Sequence, residues 1–311
     1  MIVVLAGGVG AARFLRGLVK VVDPTGITVV VNTGDDTVFH GLHVSPDIDT
    51  VTYTVAGAID PERGWGLAGE SWRAMEAMGR YGDFGAVTWF NLGDRDLATH
   101  LWRTGRIHDG ASLTQVTGDL ARAWGLTLTM LPMSDDPVST FVQTATGLLP
   151  FQEYFVKQQH SVAISEVVFQ GIDLAEPAPG VLEAIARADT VVIAPSNPLV
   201  SIGPILALRG VRDALRARRD RVVAISPIIA GAALKGPADR MLSELGHDPS
   251  VSGVARLYRD IARTLVIDTA DTDSADAVRA EGIECLVTDT IMAKPGVTES
   301  LARLVLDATR N

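Results

Sequence analysis

The first residues, 1-MIVVLAGGVGAARFLRGL-18, decide the fold class. An apolar run, Ile2 to Ala6, breaks at Gly7, Gly8 and Gly10, and an amphipathic pattern begins near Ala11. That order reads as strand, glycine turn, helix. Glycine permits positive φ and close approach of backbone to a ligand, and a helix start offers free N–H groups with a positive dipole end. The turn Gly7-Gly8-Val9-Gly10 therefore suits a phosphate, although the same residues also make a tight connection. The dinucleotide fingerprint is not met. Counted from Gly8 the pattern opens G-x-G, but its sixth position is Arg13, and the second apolar run ends in Asn32 followed by TGDD instead of in an acid. No Lys-Ser/Thr pair follows the glycines, which excludes a P-loop.

Outward from this unit, short β-branched runs alternate with helical patterns, the mark of a parallel sheet covered on both faces. Strands are predicted at Ile2 to Leu5, Ile27 to Asn32, Thr190 to Ala194, Arg221 to Ile225, Thr264 to Asp268 and Glu284 to Asp289. Helical spacing appears in ARFLRGLVKVV, VLEAIARA, LALRGVRDALRAR, ADRMLSEL, SADAVRAEG and TESLARLVLDA. In the middle, TLTML, STFVQT, FQEYFV and SVAISEVVF read as short antiparallel strands. The expectation is an α/β, Rossmann-like, doubly wound, mainly parallel sheet over residues 1–110 and 176–311. A smaller α+β subdomain is expected to be inserted at 111–175.

The chain has 311 residues, with 27 Lys and Arg against 37 Asp and Glu, a net charge of -10. Such a balance repels nucleic acid and anionic lipid. The single cysteine, Cys285, lies in the apolar run IECLVTD and reads as a buried, inert thiol of a reducing compartment. No run approaches the roughly 18 apolar residues of a membrane span. A cytoplasmic protein is expected, with a homodimer as the favoured assembly.

VNTGDD places Asp35 and Asp36 at the carboxyl end of the second strand, and SPDIDT places Asp47 and Asp49 two residues apart at a helix start. Four carboxylates within fifteen residues repel one another unless they share a cation. Oxygen-only ligands suit Mg²⁺ bridging to phosphates. Asp35 and Asp49 are the metal candidates, with Asp36 in reserve. Capping by Asp47 and turn formation by Asp36 are the structural alternatives.

Taken together, AGGVGAARFLRGL, VNTGDD, HGLHVSPDIDTVTYTVAG, RGWG, FNLGDRDLATHL, APSNPLVSIGPIL and SPIIAGAALKGPADRML resemble the 2-phospho-L-lactate transferase family of coenzyme F-420 biosynthesis, in order along nearly the whole chain. The resemblance implies a Mg²⁺-dependent enzyme. Its family transfers a phosphorylated three-carbon acid from a GDP-linked donor to the deazaflavin FO, releasing GMP. On that reading Asp36 is the proton acceptor beside the metal on Asp35 and Asp49. Ser196, Asn197, Ser201 and Gly203 form a cradle for guanine or phosphate, and Lys235 reaches a phosphate. Trp65 stacks on the deazaflavin, or packs in the core, and Asp94 and Arg95 touch FO or phosphate, or cap a helix. His40, His43 and His100 carry no assigned role. The family's further glycine after GGVG is Ala11 here, and no residue chooses among 2-phospholactate, phosphoenolpyruvate and 3-phosphoglycerate.

Two rivals remain. A non-catalytic regulator resembling the gluconeogenesis factor keeps such a core and binds nucleotide sugars, but lacks the HGLHVSPDIDT stretch. An NAD-dependent oxidoreductase suffers from the missing strand-end acid and from carboxylates beside the pyrophosphate.

Overall fold

The computed structural model describes residues 1–234 and 236–310. The chain runs through β1 (Ile2–Ala6), α1 (Gly8–Leu18), β2 (Ile27–Val31) and a hairpin of β3 (Thr37–Phe39) and β4 (Leu42–Val44). Four helices follow, α2 (Pro46–Val55), α3 (Arg73–Met78), α4 (Asp96–His108) and α5 (Leu113–Ala123), before β5 (Thr129–Pro132). Next come β6 (Ser139–Thr144), β7 (Gly147–Pro150), β8 (Ile164–Gln170), α6 (Val181–Arg187) and β9 (Thr190–Ile193). The remainder is α7 (Gly203–Ala207), α8 (Val211–Ala217), β10 (Val222–Ile225), the short β11 (Ile228–Ile229) and β12 (Ala232–Ala233), α9 (Ala238–Glu244), α10 (Val251–Tyr258), β13 (Thr264–Asp268), α11 (Ala275–Ala280), β14 (Glu284–Thr288) and α12 (Val297–Asp307).

Among the described residues, seven strands pair in the order β14-β13-β10-β9-β1-β2-β5, every pairing parallel. This is the α/β, Rossmann-like sheet that the apolar runs predict. Its strands are continuous in hydrophobicity because both faces are covered. Along β1, Val3 and Leu5 face one core with α6 and α8, while Val4 and Ala6 face the other with α1 and α12. Cys285 is a free, buried thiol in β14, its pKa raised chiefly by burial. No described helix is long and apolar enough to cross a membrane.

Three local expectations are corrected. TLTML does not join an antiparallel patch: Thr129–Pro132 is the edge strand of the main sheet, parallel to β2. Its alternating burial comes from that edge position, where one face is only partly covered. FQEYFV is not a strand, since Glu153–Lys157 forms a π-helical turn with Tyr154 buried against Phe151. The single helix read in LALRGVRDALRAR is two, separated at Gly210, whose φ of +79° suits glycine. STFVQT and SVAISEVVF do pair antiparallel, as the sheet β7-β6-β8.

Candidate functional site

Strand order reverses between β1 and β9, because the chain proceeds from β1 through β2 to β5 on one side and from β9 to β14 on the other. The loops after these two strands diverge there and leave the crevice in which open α/β sheets bind ligands. A cavity of about 660 Å³ occupies it, lined by the glycine turn, the Pro195–Ser201 loop, the aspartates and several aromatic side chains.

The glycines are explained first by packing. A Cβ on Gly7 would stand 2.6 Å from Ser201 Cβ, and one on Gly10 would overlap the Pro195 carbonyl oxygen. The turn is thus pressed against the loop after β9. Helix α1 begins at Gly8, earlier than the predicted Ala11, with Gly8 at φ +69°. Gly7, Gly8, Val9 and Gly10 all line the cavity.

The four aspartates divide into two groups. Asp47 and Asp49 are two apart on α2, a spacing that turns side chains to different sides of a helix. Asp47 does not cap its own helix. Its Oδ2 accepts from Asn32 Nδ2 at 2.9 Å, and Asn32 Oδ1 accepts from the Gly34 N–H at 2.9 Å. Burial pushes the Asp47 carboxyl up to about 7, with Asn32 opposing, the Asp36 charge adding and the Gly8 N–H opposing. Asp35 is buried and its Oδ1 has no hydrogen-bond partner among the described residues. Burial, followed by the charges of Asp47 and Asp36, raises it well above the usual carboxylate range. Asp36 turns away from the cavity: its Oδ2 accepts from Ser45 Oγ at 2.6 Å and lies 3.0 Å from His43 Nε2.

Asp49 belongs to the second group. Arg103, 1% exposed, grips both of its oxygens, with Nη1 at 3.1 Å from Oδ2 and Nη2 on Oδ1. Burial works against the guanidinium charge, but Asp49 outweighs it and the Arg103 pKa rises. His100 Nδ1 lies 3.8 Å from Asp49 and its Nε2 lies 3.4 Å from Asp96. The Tyr53 hydroxyl donates to Asp96 Oδ1 at 2.6 Å. Burial acts to raise Asp96, yet His100, Tyr53 and Arg103 together hold it below its ordinary value. One ligand atom from each of Asp49, Asp96 and His100 falls within a 4.8 Å span, a second arrangement able to hold a cation.

Asp96, His100 and Arg103 do not stand out as a set in the sequence, though their i, i+4, i+7 spacing in DLATHLWR puts them on one face of α4. The spacing was the available signal; the contact with Asp49, 54 residues away, was not.

The other predicted residues divide as well. Ser196, Asn197, Ser201 and Trp65 line the cavity. Ser196 Oγ is buried without a partner among the described residues, whereas Asn197 Oδ1 shapes its own loop by accepting from the Leu199 N–H at 2.9 Å. Trp65, 42% exposed, lies 6.0 Å from Trp72, so it is not a core residue. Gly203 starts α7 off the cavity wall, facing Phe169. Asp94 accepts from Ser71 Oγ and the Arg73 and Ala74 N–H groups at the start of α3, while Arg95 binds the Ala68 carbonyl at 2.5 Å. Neither lines the cavity, and the capping role is the one observed for Asp94. Lys235 lies outside the described residues.

The family model described as 2-phospho-L-lactate transferase CofD matches residues 2–305. A phosphoenolpyruvate transferase of Kitasatospora aureofaciens is 46% identical over 98% of this chain and 96% of its own length. Another, of Streptomyces griseus, is 44% identical over 98% and 97%. Among solved structures, a UPF0052-family protein of Bacillus halodurans superposes with a TM-score of 0.62 at 16% identity, covering 98% of both chains. That last likeness is one of fold.

Proposed function

Because this chain belongs to the 2-phospho-L-lactate transferase CofD family, and is thereby a transferase of coenzyme F-420 biosynthesis, we propose that it moves a phosphorylated three-carbon acid from a GDP-linked donor to the deazaflavin FO. The acid proposed is phosphoenolpyruvate, after its 46% and 44% identical relatives, which are phosphoenolpyruvate transferases by name. The observation that carries the reading is one cavity at the switch point, lined both by buried carboxylates and by aromatic side chains. A regulator that binds a nucleotide sugar would not need both.

In the proposed step the FO hydroxyl oxygen bonds to the distal phosphorus, the bond from that phosphorus to the bridging oxygen breaks, and GMP leaves with the oxygen. Such a reaction asks for alignment and charge neutralisation more than for a covalent group on the protein. Trp65, Trp89, Phe90 and Phe155 line the cavity and offer flat faces to a deazaflavin ring.

The proposed cofactor is a magnesium ion. Asp35 Oδ1 is buried and unpartnered among the described residues, as a ligand atom awaiting a cation would be. Asp49, which Arg103 holds in the other acid group, is the second proposed ligand; a carboxylate has about four acceptor sites, so lone pairs outside the Arg103 fork are left for it. Bound there, Mg²⁺ would offset the phosphoryl charge and make the hydroxyl a stronger acid. Arg103 holds Asp49 in place, and Asn32 orients Asp47. Asp47 replaces Asp36 as the proposed proton acceptor, because it lines the cavity and Asp36 does not.

The test offers purified protein FO, Mg²⁺ and the three GDP-linked acids together, following GMP and the mass of the deazaflavin product. An enolpyruvyl product is expected. A lactyl or glyceryl product would replace the proposed donor, and bound nucleotide with no GMP would favour the regulator.

A further inference from the structure

Asp35, Asp47, Asp49 and Asp96 face the same cavity, and a diphosphate donor adds more negative charge to it. Among the described residues, the arginines lining that cavity are Arg13 and Arg63. Arg63 is engaged: it pairs with Asp60 at 3.0 Å, donates to the Leu67 carbonyl at 3.0 Å, and lies 5.4 and 5.2 Å over the Trp65 and Trp72 rings. The Arg13 side chain makes no hydrogen bond, ion pair or ring contact with any described residue.

Its place is set by α1. Gly10 and Gly17 flank Arg13 at i−3 and i+4, the spacings that share a helix face. Gly10 is pressed on the Pro195 carbonyl and Gly17 on Thr298, at the start of α12. Arg13 therefore rises between the loop after β9 and the segment before α12, whose residues Thr290 to Ala293 also line the cavity. The glycine turn itself is poorly suited to a phosphate, because Asp47 stands beside it: its Oδ2 is 3.1 Å from where a Gly7 Cβ would be and its Oδ1 is 3.6 Å from that of Gly8. An incoming phosphate at those N–H groups would meet a carboxylate.

We propose that Arg13 is the anion-binding residue of the cavity, its guanidinium pairing with the diphosphate of a nucleotide-linked donor in place of the glycine turn. The proposal rests on the transferase reading for the identity of that anion. A planar fork of donors matches phosphate oxygens in pairs, which explains a cation where a dinucleotide fold carries a third small residue.

Two measurements test it. By titration calorimetry, Arg13→Gln should weaken GDP and inorganic pyrophosphate by about tenfold, the size of one charge-assisted contact, while the KM for FO stays unchanged. Arg13→Lys should recover part of the loss. Wild-type GDP affinity in a folded Arg13→Gln protein overturns the assignment. Should that variant fail to fold, arginine-selective labelling of the wild-type chain by phenylglyoxal, mapped by mass spectrometry, decides. GDP should slow modification of Arg13 severalfold and leave Arg122 and Arg310 unaffected. Arg13 labelled at its free rate with GDP bound overturns the subsite and leaves the transferase reading standing. Protection by pyrophosphate, with no GMP released from any donor, keeps the subsite and removes that reading. Protection by neither ligand overturns the subsite.

Discussion

Two carboxylate groups stand within one cavity, and they are built on opposite terms. Around Asp49 the charge is matched: Arg103 grips both of its oxygens, and the Tyr53 hydroxyl donates to the neighbouring Asp96. Around Asp35 the nearest charges are other acids, Asp47 and Asp36, opposed only by the neutral Asn32 and Thr140, and one buried oxygen each of Asp35 and Asp36 has no hydrogen-bond partner among the described residues. A self-neutralised cluster positions side chains and is costly to break from one side. An unmatched one costs stability and signals a ligand that arrives from outside.

The sharpest way to break this contrast is at Arg103. Arg103→Met leaves Asp49 buried without its cation and should destabilise the protein by about 3–5 kcal/mol, measured by urea unfolding. A loss under about 1 kcal/mol would mean that the pair is not the anchor its geometry describes. At Asp35 the opposite balance is expected. Asp35→Asn keeps the shape, removes one of the repelling charges, and should hold or raise stability while GMP release falls at least 100-fold, on the order of removing one electrostatic contact to the transition state. Mg²⁺ should raise the melting temperature of wild type and not of this variant. Wild-type turnover in Asp35→Asn would return Asp35 to the structural side.

A third acid sharpens the comparison with a smaller effect. Asp268, at the end of β13, accepts from the Ala270 N–H at 2.9 Å and from the Thr290 N–H and hydroxyl at 2.7 and 2.9 Å, tying down the segment that lines the cavity beside Arg13. Burial acts to raise its pKa, but these hydrogen bonds outweigh it and hold the carboxyl below its ordinary value. A depressed carboxylate contributes stability above its unfolded pKa and loses it as pH falls through the folded one. Asp268→Asn should therefore cost about 1 kcal/mol at pH 7, with the difference from wild type fading below about pH 4. A difference independent of pH would refute the ionic contribution.

Much of this fold is legible in the sequence. Buried parallel strands such as Thr264–Asp268 are bounded apolar runs, and the glycine turn marks the first crossover. What escapes is what depends on location in the sheet. Thr129–Pro132 alternates because it is an edge strand, so it imitates an antiparallel one. At the site, the sequence identifies Asp35 and Asp49 as acids near one sheet edge, yet it cannot show that α2 turns Asp47 and Asp49 apart. Nor can it show that Arg103 folds back onto Asp49, because that pairing depends on how α4 packs. The N–H of Gly8 likewise faces an acid that local pattern assigns to another helix.

The reversal of strand order at β1 has a kinetic consequence. The cavity's walls come from Gly7 at one end of the chain and from Ala293 near the other, so the crevice closes only after very distant segments have met. Contacts of such separation form slowly, because loop closure is costly before it is rewarded. Refolding followed by fluorescence of the tryptophans and by nucleotide capture should thus give two clocks, with the ability to hold a ligand the later to return.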